Sequence, residues 1–288
     1  MPTPTIRHRT LKLAGGCTAV LLALSACSSS DSGSSAGSAA ASASGGASSA
    51  ASASAGASGT AANVTGTVTV FAAASLKEAF TTIGTQFEAA HPGTKVVFNF
   101  AGSDALAASI VNGAPADVFA AASPATMKTV TDKGDAVGTP QTFVRNQLAI
   151  ATVPGKPQHI ATLQDLAEPG LKVVLCAKEV PCGAAAQKAL AAGNVQVTPV
   201  SYEQDVKDAL TEVELQEADA SLVYQTDVKS AAGKVDGVNF AEAASAINDY
   251  PIATLTHAPN SAGAQAFVAQ VESAEGQKVL SDAGFLSA

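Results

Sequence analysis

Two serines, two short polar turns and one tyrosine carry the chemistry this sequence offers. Ser75 follows three alanines in TVFAAASLKEAF (69–80), and Ser103 follows a glycine in FAGSDALA (100–107). EVPCGAAAQKAL (179–190) turns through Pro181, Cys182 and Gly183 into an alanine-rich segment. SYEQDVKDAL (201–210) opens a helical pattern at Asp205 and Val206, and Tyr224 closes an apolar run in SLVYQTD. Each of the first four sits where a strand-like run hands over to helical spacing. The first turn of a helix carries unpaired N–H groups and a partial positive charge, so each is a ready anion site. Small residues before the turn let a ligand reach the backbone. A serine there is also a favoured N-cap, and that simpler role is the expectation for Ser75 and Ser103 taken singly. Asp104 and Asp205 form a possible carboxylate pair, but at helix starts they too read as caps.

These residues must be held by alternating elements. Strand patterns at 68–72, 95–100, 117–121, 147–151, 173–175, 196–200, 220–224 and 250–255 are interleaved with helical spacing at 76–90, 104–112, 124–133, 163–167, 184–192, 206–214, 227–232, 261–271 and 274–283. Such alternation implies an α/β fold with mostly parallel sheets flanked by helices. Right-handed crossovers gather the strand-to-helix turns at one sheet edge, where open α/β folds bind ligands. A second set of strand–helix units before the last strand and helices points to two lobes. The chain would cross out near 143–150 and return near 246–253, a two-strand hinge. The resulting division is lobe 1 at 64–146 plus 248–288 and lobe 2 at 147–247.

The N-terminal segment is of another kind. Arg7, Arg9 and Lys12 precede a short apolar run ending in Leu24-Ser25-Ala26-Cys27. The run is too short for a stable span, and the pattern is that of a signal peptide over 1–26. Its last four residues resemble the lipobox of bacterial lipoproteins, which implies acylation of Cys27. Residues 27–63 are nearly all Ser, Ala and Gly, with Asp31 the one charge. They cannot bury enough apolar surface to offset ordering and read as a disordered tether, roughly 30–35 Å end to end as a flexible coil.

Charge and cysteines narrow the function. The whole chain carries a formal charge of −8, and losing the leader removes three cations and no acid, leaving about −11. Nucleic-acid binding would want the opposite sign. Cys176 and Cys182 remain in an exported body, in CAKEVPC, where a disulfide is the default. A metal site is the weaker alternative, because His8, His91, His159 and His257 are scattered without ligand spacing. A secreted serine hydrolase would need a histidine base, and neither serine has a G-x-S-x-G frame.

The motifs FAAASL, FAGSDALA, APADVF (114–119), VPCG (180–183), DVKDAL (205–210), LVYQTD (222–227) and YPIA (250–253) together resemble, in order and spacing, the molybdate-binding proteins of ABC transporters. The likeness spans nearly all of 66–288. It implies a two-lobed, type II periplasmic-binding-protein fold that closes on molybdate or tungstate. It implies a monomer without cofactor, enzymatic activity or nucleic-acid partner, tethered by lipid to the extracytoplasmic face of the membrane and served by ABC permease and ATPase subunits. Carried over position by position, it implies that Ser75 and Ser103 bind through hydroxyl and N–H, Cys182 and Val206 through N–H, and Tyr224 through its phenol. No metal is implied beyond that in the oxyanion. Asp104 stands where small polar residues are common and is expected to turn outward as a cap.

Chemistry agrees with this. No Lys or Arg is among the expected binding positions of the four motif cores. Oriented neutral donors can hold a dianion, because hydrogen bonds to charged groups contribute ~1.5–3 kcal/mol each. A donor-only cage suits fully ionised molybdate, tungstate or sulfate and disfavours hydrogen phosphate. A receptor for sulfate, thiosulfate or phosphate is the alternative reading.

Overall fold

The computed structural model describes residues 64–155 and 158–288. The expected leader, Cys27 and the tether lie outside the described residues. In chain order the elements are β1 (Gly66–Ala73), a 3-10 turn (Ala74–Leu76) running into α1 (Lys77–Ala90), β2 (Thr94–Ala101), α2 (Ser103–Val111), β3 (Val118–Ala120), α3 (Pro124–Thr131), β4 (Gln141–Asn146) and β5 (Leu148–Thr152). A 3-10 turn (Gln164–Ala167) then leads to β6 (Val173–Cys176), α4 (Pro181–Ala192), β7 (Ser201–Glu203), α5 (Val206–Glu214), β8 (Ala220–Tyr224), α6 (Gln225–Ser230) and β9 (Asp236–Val238). The chain ends with a 3-10 segment (Ala241–Ala246), β10 (Asn248–Thr254), α7 (Ser261–Glu272), α8 (Ala274–Ala283) and β11 (Leu286–Ser287).

Two sheets result, in strand order β11-β4-β10-β3-β1-β2 and β7-β6-β8-β5-β9. Period-two alternation sorts β1 between two cores. Val68, Val70 and Ala72 face Phe80, Phe87 and Phe267, while Phe71 faces Leu106, Ile110 and Met127. Phe267 stands edge-on to Phe80 and Phe87, with centroids 5.9 and 5.5 Å apart, a favoured aromatic geometry. The second sheet has its own core of Ile150, Val174, Leu222, Leu210 and Val213. On α5 the buried positions are Val206, Ala209, Leu210 and Val213, the i, i+3, i+4, i+7 stripe of an amphipathic helix.

The sheets are mixed rather than mostly parallel. β1 pairs in parallel with β2 and β3, and β6 with β7 and β8, whereas β4, β5, β9, β10 and β11 all pair antiparallel. The cause is the crossing between sheets: β4 runs through Gln147 into β5, and β10 returns antiparallel beside β4, with Asn248 opposite Asn146. The strand expected at 196–200 is irregular; Pro199 has no N–H for a ladder, and pairing with β6 begins only at Ser201. β9 and the 3-10 segment after it were not foreseen. The helix expected from 184 begins at Pro181, whose missing N–H suits a first helical position.

Candidate functional site

The five expected site residues meet at one pocket. Its lining is Ala73, Ala74, Ser75, Ala101, Gly102, Ser103 and Ala122 from the first sheet and its helices, and Val180, Pro181, Cys182, Asp205, Val206 and Tyr224 from the second. Its cavity volume is about 20 Å³. A water needs about 10–15 Å³ on the same measure, so this is room for one compact ion. Four helix starts and one strand end converge there, at the strand-to-helix edge of both sheets.

The residues do not reach the pocket as N-caps. Ser75 lies inside the 3-10 turn that Ala73 precedes, and Ser103 is the first residue of α2 after Gly102; neither start has a side-chain cap. Both hydroxyls instead meet buried tertiary partners. Ser75 Oγ lies 2.9 Å from Tyr250 Oη. Ser103 Oγ accepts from the Ala122 N–H at 3.0 Å. Their own amides remain among the first-turn donors that a helix cannot satisfy internally. On α4, Pro181 has no N–H, so Cys182 offers the first. On α5, Asp205 is a true cap: its Oδ1 accepts from the N–H of Lys207 at 2.7 Å and of Asp208 at 3.1 Å. That leaves the Val206 amide.

Asp104 departs from its expected role. It caps nothing, and its Oδ1 is buried without a hydrogen-bond partner. Its place in the first turn of α2 sets the carboxylate at the positive end of the helix, a favourable position for an acid. Asp104 does not line the pocket, so it forms no carboxylate pair with Asp205 there.

Two glycines give the site its closeness. A Cβ on Gly183 would fall 1.8 Å from Ala177 O. The helix start thus packs directly on the loop after β6, which the Cys176–Cys182 disulfide also ties, with Cα atoms 5.8 Å apart. A Cβ on Gly102 would fall 2.6 Å from Gln204 O in the opposite lobe, so the lobes are closed on each other at this point.

Cations stay out of the lining. Lys207, inside DVKDAL, is the exception to the expected lack of basic residues near the donors. Its Nζ lies 3.0 Å from Glu78 across the cleft and 3.1 Å from the fully buried Asp227. Burial works against the Lys207 ammonium, but the carboxylates of Asp227 and Glu78 outweigh it and hold its pKa above the ordinary lysine value. Burial pushes the Asp227 carboxyl up against the opposing pull of Lys207. Tyr224 is buried, and desolvation, reinforced by the neighbouring Tyr250, pushes its phenol well up. It therefore keeps its proton and can donate. Among the described residues no group of three or more His, Cys, Asp or Glu could hold a metal ion, and no helix is long and apolar enough to cross a membrane.

Sequence reasoning gave no role to Tyr250, Asn146, Asn248 or Ala122. The tyrosine stood in a recognised motif, YPIA, but its partner is 175 positions away in the chain. The two asparagines mark the ends of β4 and β10, which local pattern does not distinguish from ordinary strand ends.

The family of bacterial extracellular solute-binding proteins matches residues 68–286. The molybdate-binding protein ModA of Mycobacterium tuberculosis is 45% identical over 219 residues, covering 76% of this chain and 84% of that protein. The protein of the same name from Escherichia coli is 32% identical over 230 residues, covering 76% and 89%. Among solved structures, the periplasmic molybdate-binding protein of Azotobacter vinelandii superposes with a TM-score of 0.68 at 20% identity, covering 77% of this chain and 99% of that one. That likeness is one of fold.

Proposed function

The chain belongs to the bacterial extracellular solute-binding proteins, and from that premise we propose that it captures molybdate, and tungstate with it, for an ABC importer. The observation that carries this reading is the pocket: donors from both lobes, a cavity of about 20 Å³, and no Lys, Arg or His in its lining. The 45% identity to a molybdate-binding protein supports the choice of anion.

In this reading the amides of Ser75, Ser103, Cys182 and Val206 and the hydroxyls of Ser75, Ser103 and Tyr224 surround the four oxygens. Lobe 1 (64–146 with 248–288) and lobe 2 (147–247) close about the hinge strands, and the anion bridges them. A ligand that binds the closed form better shifts the population toward it. The importer's permease would then recognise the closed face. Acylation at Cys27 and the tether would hold the body near the membrane, and one chain would act alone.

A thermal-shift panel of molybdate, tungstate, sulfate, thiosulfate and phosphate tests the reading. A ligand at a hundred times its Kd stabilises by about 2.7 kcal/mol. Molybdate and tungstate should shift the unfolding temperature at the lowest concentrations. A larger shift with sulfate or phosphate would assign the site to that anion instead.

A further inference from the structure

The three hydroxyls of the pocket could in principle either donate or accept. A hydroxyl has one proton and two lone pairs, so what it does toward a ligand depends on what it meets behind. Ser103 Oγ accepts from the Ala122 N–H at 3.0 Å, which leaves its proton free. Tyr224 Oη lies 2.8 Å from Asn248 Nδ2. The orientation of that amide is fixed, because the same Nδ2 lies 2.8 Å from Ala122 O, and a carbonyl can only accept. Tyr224 therefore accepts from Asn248.

Ser75 is reached through one more group. Its Oγ lies 2.9 Å from Tyr250 Oη, and Tyr250 Oη lies 3.4 Å from Asn146 Nδ2. Here too the amide is oriented: Asn146 Oδ1 accepts from the Gln147 N–H at 2.9 Å, which turns Nδ2 toward Tyr250 and Thr226. Tyr250 accepts a hydrogen bond from behind, so its own proton is available to donate to Ser75. The Ser75 proton is left for the cavity. Asp205, the one carboxylate in the lining, serves as the cap of α5, its Oδ1 accepting from the Lys207 and Asp208 N–H groups.

Asn146 and Asn248 are 0% and 7% exposed and sit opposite each other where the two crossing strands pair. We propose that these two hinge asparagines are positioning residues that set specificity: by donating to Tyr250 and Tyr224 they fix the Ser75 and Tyr224 hydroxyls as donors. The site then takes tetrahedral oxyanions without a proton and refuses those that carry one. The hinge that lets the lobes close also sets the polarity of what they close on. This inference rests on the oxyanion reading above.

Selenate and hydrogen arsenate test it. They are close in size and both dianions near pH 8, but only the arsenate carries a proton. Calorimetric affinities are measured for the parent, Asn248→Ala and Asn146→Ala, with molybdate as the reference ligand. The parent should prefer selenate by at least tenfold, the scale of one hydrogen bond to a charged group. In each variant the freed hydroxyl can turn and accept. Selenate affinity should fall by about tenfold while arsenate affinity holds or rises, so the ratio collapses. Equal weakening of both anions would show a merely structural role and overturn the proposal. If a variant does not fold, the parent still decides against it should the two anions bind equally. A parent that binds neither molybdate nor selenate would sink the functional reading itself. A parent that binds both, with a ratio unmoved in the variants, would sink only this inference.

Discussion

Gly102→Ala separates closure from folding. The backbone at Gly102 has φ −57° and ψ 133°, which any L-residue can adopt, so the glycine is required for space alone. The added Cβ would meet Gln204 O at 2.6 Å and Asp104 Oδ1 at 2.8 Å. The carboxylate is the end of a side chain in the same lobe and can rotate away. The carbonyl is backbone in the other lobe, so relief comes from parting the lobes. Forcing a methyl into such a contact costs about 1–3 kcal/mol. Charged to the closed state only, that weakens binding about five- to 150-fold. Each lobe keeps its own core, so the unfolding temperature without ligand should stay near that of the parent. Titration calorimetry with molybdate reads the affinity, and small-angle scattering with saturating ligand reads the closure. Parent-like affinity together with a parent-like radius of gyration would refute the reasoning that the lobes meet at this glycine.

The remaining expectations are shorter. Ser103→Ala removes a proposed donor to the anion and orphans the buried Ala122 N–H; affinity should fall by ~1.5–3 kcal/mol and stability by about 1–3 kcal/mol, read by calorimetry and by denaturant unfolding. Lys207→Met leaves Asp227 buried without its ion partner, a loss of about 3–5 kcal/mol at neutral pH, whereas Glu78→Gln, at a half-exposed position, should cost only about 0.2–1 kcal/mol. The sign with pH follows from Asp227, whose carboxyl burial pushes above the ordinary carboxylate range. The folded state holds that proton to higher pH than the unfolded chain, so the penalty in Lys207→Met shrinks as pH falls. Its unfolding temperature should climb relative to the parent between pH 8 and pH 5. In the parent, the Lys207 contribution is complete below the unfolded value of 10.5 and is lost as pH rises through the raised folded value. Reducing Cys176–Cys182 should cost about 2–2.5 kcal/mol on the chain-entropy account, while the Cys182 amide persists and affinity changes less than stability.

Much of the fold is legible because its rules are local. The helix over 206–214 and the strand over 220–224 are bounded as expected; an aspartate cap, an amphipathic stripe and an apolar run need no distant partner. β4 is otherwise. Gln141–Asn146 has a polar, unremarkable sequence, and its strand state comes from pairing with β10, about a hundred residues later. The run at 196–200 alternates like a strand but offers Pro199 where a ladder needs an N–H. The site divides along the same line. The amide donors of Ser75, Ser103, Cys182 and Val206 follow from helix starts, which the sequence marks. The direction of each hydroxyl does not, because Ser75 and Ser103 forgo the local capping bond for Tyr250 and Ala122. Those partners lie 175 and 19 positions away, beyond what neighbouring residues can signal.

Neutral donors of two lobes are proposed to hold one oxyanion between them. An anomalous-difference map from crystals grown with molybdate, recorded at the molybdenum edge, tests that most directly. It should show a single strong peak within hydrogen-bonding reach, through its oxygens, of Ser75, Ser103, Cys182, Val206 and Tyr224, with no cationic side chain against it. A peak elsewhere on the molecule, or one held by lysine or arginine, would contradict it.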